Sequence, residues 1–327
     1  MSFNLRPALL TGTFLGLVLS VEAQPQPAPK RAQQPQPKAP TAEEMKKRVP
    51  PDVSYLPDLA YREGNPAWRL DLAMPAERGS SPRPGIVIVH GGGWRGGDKR
   101  PGMWGQLPLE YAQKGYVAIS INYRLATEAP FPACVEDVKC AVRWLRAHAK
   151  EYNLDPERVG GYGHSAGAHL TAMLALVGPE AGLEGDGPYR EQSSLLQAAC
   201  ISAPPLDLLN WRAQTRLPPW NFGGLLAGPD ETFQDRAKKA SPITYAHAGA
   251  PPMLIVQGTD DIAVPISQPE GFVKALRGAG AKDVTYLIFD GANHGLPNTH
   301  ATYFRAMMAA FFDAKLGSGR QGANSDR

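Results

Sequence analysis

The chain has 327 residues, 43% of them hydrophobic, with 34 Lys and Arg against 31 Asp and Glu for a formal charge of +3. That is enough apolar material for one large core, and a single α/β domain of this size is ordinary. The small charge, with no basic stripe interleaved with aromatics, argues against a nucleic-acid partner.

Arg6, a mostly apolar run from Ala8 to Val21, and then Val21-Glu22-Ala23 have the plan of a signal peptide over 1–23. This predicts a secreted or periplasmic protein with no membrane partner after cleavage. The run of about 14 residues falls short of the roughly 20 that span a bilayer. Three cysteines in an exported chain leave at least one unpaired. Cys134 and Cys140 lie six apart on one predicted helix, about 9 Å along its axis, and cannot bridge each other. Cys200 could join either, although three buried free thiols is the favoured reading. None has zinc spacing, so no metal is implied, and nothing else in the chain calls for a cofactor.

Residues 24–49 begin with a segment of Gln, Pro, Ala, Lys and Arg that has nothing to bury, and they are expected to be a disordered linker. The domain is expected over 50–316, with a disordered tail at 317–327. Trp68 to Met74 alternates apolar and polar side chains as a half-exposed strand does. Gly85 to Val89 is a continuous β-branched run suited to a strand buried on both faces. It ends in His90-Gly91-Gly92-Gly93-Trp94, where glycines let backbone N–H groups approach a ligand closely. A helix from Gln106 to Lys114 leads to a strand at Tyr116 to Ile121, and a long amphipathic helix follows from Cys134 to Lys150.

Arg158 to Tyr162 then leads into Gly163-His164-Ser165-Ala166-Gly167 and a helix-like run, Ala168 to Val177. A serine flanked this way by glycines is the pattern of a nucleophile elbow, a sharp strand-to-helix turn that only small neighbours permit. Gly161, Gly163 and Ala166 also fit GxGxxA, as Gly91, Gly93 and Gly96 fit GxGxxG, so a dinucleotide site is the rival. Trp94 to Arg100 is a poor helix opening, which counts against that rival. Ala198 to Ser202 is a further strand. Residues 204–247 lose periodicity and gather prolines and aromatics, including Trp211 and Trp220, and are read as a short cap-like insertion.

Pro252 to Gln257 and Val284 to Phe289 complete the strands, and Thr299 to Lys315 is the closing helix. The first of these strands ends in Asp260-Asp261 and the second in Asn293-His294-Gly295. Alternating strands and helices predict a mostly parallel central sheet with helices on both faces. A glycine-rich turn, then serine, acid and histidine in that order, is the α/β-hydrolase arrangement. His294 is the predicted base, because His164 adjoins the serine and the remaining histidines sit on helices, in the insertion or beside the glycine turn. Spacing alone leaves Asp260 and Asp261 open. Backbone N–H groups of Gly92, Gly93 and Ala166 are the candidate oxyanion donors. Trp94, Tyr123, His164, Trp211 and Trp220 are the candidate walls of the substrate pocket.

HGGGW at 90–94, YRLATEAPFPA at 123–133, GHSAGAHL at 163–170, GTDDIAVP at 258–265 and GANHG at 291–295 resemble the bacterial feruloyl-esterase-like (BD-FAE) and hormone-sensitive-lipase-like branches of the α/β-hydrolases. The resemblance spans the whole expected domain. It maps the catalytic acid to Asp261 and implies a serine carboxylesterase, which the N-terminal segment would make a secreted or periplasmic one. The implied substrates are small or polysaccharide-linked esters of short acyl or feruloyl groups. Thr127 stands where the family usually has proline, Gln257 where it often has histidine, and Ala168 where a second glycine is common. A peptidase of the same fold and a non-catalytic binding protein are the alternatives. The first usually carries a large N-terminal domain that residues 1–50 cannot make, and the second would show a broken triad. Oligomeric state is not indicated.

Overall fold

Ile86 to Val89 have no polar side chain to turn toward water, and they lie fully buried inside an eight-stranded sheet. The computed structural model describes residues 38–211, 224–228 and 232–317. Its strands are β1 (Val53–Ala60), β2 (Arg69–Pro75), β3 (Arg83–Val89), β4 (Val117–Ile121), β5 (Leu154–His164), β6 (Ala198–Ser202), β7 (Met253–Gly258) and β8 (Val284–Phe289). They lie side by side in the order β1-β2-β4-β3-β5-β6-β7-β8. β2 is antiparallel to both its neighbours, and all the other pairs are parallel. This is the mostly parallel sheet with helices on both faces expected from the alternation, and it is the α/β-hydrolase fold expected from the order of the motifs.

The helices are α1 (Ala42–Lys46), α2 (Met103–Gln113), α3 (Ala133–Ala147), α4 (Ala149–Tyr152), α5 (Ala166–Leu176), α6 (Phe233–Lys239), α7 (Ser267–Gly278), α8 (Leu296–Thr299) and α9 (Ala301–Leu316). Successive strand side chains point to opposite faces, so β3 feeds two cores. Val87 and Val89 join Ile119, Ile201 and Ile255 under α3, α5 and α7. Ile86 and Ile88 join Ala118, Leu254 and Val256 under α2 and α9. Cys134 and Cys140 belong to the first core and Cys200 to the second, with the sheet between them. All three thiols are free and buried, which removes the Cys200 pairing left open above.

Several boundaries differ from the sequence reading. The linker expected to run to residue 49 ends earlier. Thr41 and Glu44 form a reciprocal capping box that starts α1, and Met45 is buried against Val53, Ala73, Leu109 and Ala112. The long helix after Cys134 is interrupted at His148 and resumes as α4. β1 and α7 were not anticipated. β1 contains a proline and a register shift between Leu56 and Leu59, so its side chains do not alternate cleanly.

The expected signal peptide and Trp220 lie outside the described residues, as does most of the tail. So do 212–223 and 229–231 of the insertion. Its described parts are fastened to the domain: Leu206, Leu208, Trp211, Leu225 and Ala240 join the first core. The Leu208 N–H donates to Ser241 Oγ at 2.8 Å, and the Phe131 N–H to Leu225 O at 2.7 Å. Among the described residues no helix is long and apolar enough to cross a membrane.

Candidate active site

Ser165 sits between β5 and α5 with φ 56° and ψ −122°, a conformation that costs an L-residue on the order of 1–3 kcal/mol. The surroundings hold it there. A Cβ on Gly163 would lie 2.1 Å from Gly167 O, and one on Gly167 would lie 2.1 Å from Val89 O. Only glycine fits at either position, which is the steric reason for the motif. The Ser165 N–H donates to Ser202 O at 2.9 Å, tying the turn to the end of β6.

His294, on the loop after β8, places Nε2 3.0 Å from Ser165 Oγ and Nδ1 2.8 Å from Asp261 Oδ2. Asp261 Oδ1 accepts the N–H groups of Ala263 and Val264, each at 2.9 Å. Burial alone would raise the Asp261 carboxyl. The His294 hydrogen bond and charge, with the two backbone donors, outweigh it and hold the group below the usual carboxylate range. Asp260 is exposed, and its backbone N–H donates to Ala292 O at 2.9 Å. The loop therefore sets Asp261, not Asp260, against the imidazole. An ionised carboxylate can only accept a hydrogen bond, so the His294 proton is on Nδ1 and Nε2 is free to accept from the Ser165 hydroxyl.

The glycine turn after β3 lies against this elbow, since a Cβ on Gly91 would come within 2.8 Å of His164 O and 3.5 Å of Ser165 Cβ. Gly92 and Gly93 have φ 128° and 61°, and Trp94 follows at 59°. As the first residue of α5, Ala166 has an N–H without an intrahelical acceptor. The three candidate donors thus lie on two turns that meet at Ser165.

The candidate pocket residues fare differently. Trp94 is buried, and its Nε1–H donates to His169 Nδ1 at 3.2 Å. The proton of His169 is then on Nε2, which donates to Ala240 O at 2.7 Å. Burial pushes His169 down to about 4, so it stays neutral. Tyr123 is also buried, stacked on His90 at 4.4 Å with its hydroxyl donating to His90 O at 3.0 Å. Trp94 and Tyr123 are therefore supports of the glycine turn rather than open pocket walls, because their polar atoms find partners inward. Trp211 is likewise packed into the first core. His164 does reach the site: its ring lies 4.8 Å from that of His294, and its Nδ1 is 3.0 Å from Ser202 Oγ. Burial, then the neighbouring His294, pushes His164 down to about 3.

Ser202 and the Trp94–His169 pair were missed from sequence. The parallel register of His164 with Ser202 is the signal that would have found the first. No group of three or more His, Cys, Asp or Glu side chains among the described residues could hold a metal ion.

A family model for BD-FAE matches residues 70–276, which runs from β2 through the elbow and Asp261 into α7. The chain belongs to the BD-FAE family. Esterase LipQ of Mycobacterium tuberculosis (strain ATCC 25618 / H37Rv) is 32% identical over 236 residues, which make up 69% of this chain and 52% of LipQ. The BD-FAE chain thus matches only about half the length of that relative. Among solved structures, a truncated carbohydrate esterase from gut microbiota aligns with a TM-score of 0.72 at 26% identity, covering 82% of this chain and 98% of that one. The butyrate-bound esterase Est2 of Thermogutta terrifontis aligns with a TM-score of 0.68 at 28% identity, covering 83% and 97%.

Proposed function

We propose that this protein is a serine carboxylesterase in which Ser165 is the nucleophile, His294 the general base and Asp261 the orienting acid. The observation that carries the reading is the unbroken relay from Ser165 Oγ to His294 Nε2 at 3.0 Å and from His294 Nδ1 to Asp261 Oδ2 at 2.8 Å. Ser165 Oγ attacks the ester carbonyl while His294 takes its proton. The tetrahedral oxyanion is received by the N–H groups of Gly92, Gly93 and Ala166, each worth on the order of 3 kcal/mol to the transition state. His294 then gives the proton to the departing alcohol, leaving the acyl group on Ser165. Water activated by His294 releases the acid and restores the hydroxyl.

The proposed substrates are esters of short acyl or feruloyl groups, including those on plant polysaccharides. Support comes from the family, from a structural relative named as a carbohydrate esterase and from another solved with butyrate bound. A panel of p-nitrophenyl acetate, butyrate and octanoate with a feruloylated oligosaccharide tests both levels. Acetate, butyrate or feruloyl turnover should exceed octanoate turnover, and Ser165→Ala should abolish all of it. Equal rates for wild type and S165A would remove Ser165 from the mechanism, and a preference for octanoate would overturn the substrate class.

A further inference from the structure

Gln257, near the end of β7, is fully buried. Its Nε2 lies 2.8 Å from Val264 O and 3.1 Å from Asp261 Oδ2. A primary amide nitrogen carries two hydrogens, and these two acceptors use both; Gly258 O, at 3.4 Å, is a marginal third neighbour. Oδ2 is the same carboxylate oxygen that receives His294 Nδ1–H. The amide can point only one way, because turning it over would set Oε1 against a carboxylate and a carbonyl. In that orientation Oε1 is buried and finds no hydrogen-bond partner among the described residues. A side chain kept for packing alone would avoid stranding it, since Met or Leu fills similar space with no polar atom to bury.

We propose that Gln257 is a positioning residue for the reaction: it holds the Asp261 carboxylate in the orientation that receives His294. The proposal rests on the Ser165-His294-Asp261 reading. Two backbone N–H groups fix Oδ1, and Gln257 fixes Oδ2 from the other side, so the carboxylate is held at both oxygens. Without the amide, Oδ2 keeps His294 as its side-chain partner, and the pair can rotate together out of line with Ser165. The titratable groups facing Asp261 are His294, from the loop after β8, and His164, from the end of β5.

The test is Gln257→Met, Gln257→His and Asp261→Asn, compared by kcat, KM and the pH dependence of kcat/KM on p-nitrophenyl acetate. Q257M should lower kcat about tenfold to a hundredfold, the worth of one hydrogen bond to a charged group, with KM unchanged. Its acid limb should move upward, because a carboxylate with one donor fewer holds the proton on His294 to higher pH. Q257H keeps an N–H donor and should recover most of kcat. Wild-type kcat and pH profile in Q257M beside an inactive D261N would overturn the role of Gln257 alone, as would a Q257H no better than Q257M. An active D261N would instead sink the triad reading.

If Q257M does not fold, Gln257→Glu replaces it. An ionised carboxylate at this position sets a second negative charge beside Oδ2, so activity must fall as pH rises through its titration. A wild-type profile there, or failure of both variants to fold, assigns the residue to packing and overturns the proposal.

Discussion

At Ser165 the functional requirement and the steric one are the same fact. The positive φ that lifts the hydroxyl out of the turn is tolerated only because Gly163 and Gly167 have no Cβ to place against Gly167 O and Val89 O. Val89 is the last residue of a buried strand and cannot move aside. Gly167→Ala should therefore cost about 2–4 kcal/mol in stability and lower kcat as well. Urea denaturation and p-nitrophenyl acetate turnover check this, and a wild-type midpoint would mean that the elbow yields to the added methyl group. The same sterics explain why Ser165 could be read from sequence, marked by the glycines on either side, whereas His294 was legible from its place in the loop after the last strand. Asp261 could not be told from Asp260 by that route. Which of two adjacent side chains turns inward is set by the Ala263 and Val264 N–H groups and by the Asp260 N–H on Ala292 O, neither of which leaves a mark in the residue pattern.

At the scale of elements, the strands with continuous apolar runs were legible because burial on both faces admits little else. The exceptions have physical causes. β1 and the five-residue α1 are short or irregular and owe their form to partners distant in sequence. Trp94 and Tyr123 look like pocket aromatics until their polar atoms are traced to His169 and His90. The Trp94–His169–Ala240 chain also links the glycine turn, α5 and the insertion, three segments whose proximity no local pattern encodes. α1 gives the sharper prediction. Met45 is 1% exposed, and its Cε lies 2.7 Å from where a Gly105 Cβ would be, so α1 seals a face of α2. Met45→Ala should cost about 2–5 kcal/mol by thermal or chemical denaturation while leaving kcat per folded molecule unchanged. An unaltered midpoint would return this stretch to the linker expected from its composition.

Over the whole molecule, the glycine turn and the elbow helix are backed by histidines that folding keeps neutral. Burial pushes both His90 and His169 down to about 4, against roughly 6.5 for an exposed imidazole. Between those values the unfolded chain binds protons that the folded one refuses. Each group should therefore subtract about 1.4 kcal/mol of stability per pH unit as pH falls from about 6.5 to about 4, and no more below that. Asp261 adds to the acid side with the same sign. Its folded carboxyl is depressed, so its contribution is present above the ordinary carboxylate range and is lost as pH falls through the folded value. Urea unfolding at half-unit steps from pH 7.5 to pH 4 should show stability declining throughout the histidine window, with net proton uptake on unfolding. A flat profile across that window would mean that neither ring is kept neutral in the folded state. For His169 protonation is excluded only if Nδ1 accepts from Trp94, because an imidazolium has no lone pair to offer the indole. The pH dependence of stability thus reads out, without any substrate, whether the hydrogen-bond chain behind the glycine turn is intact.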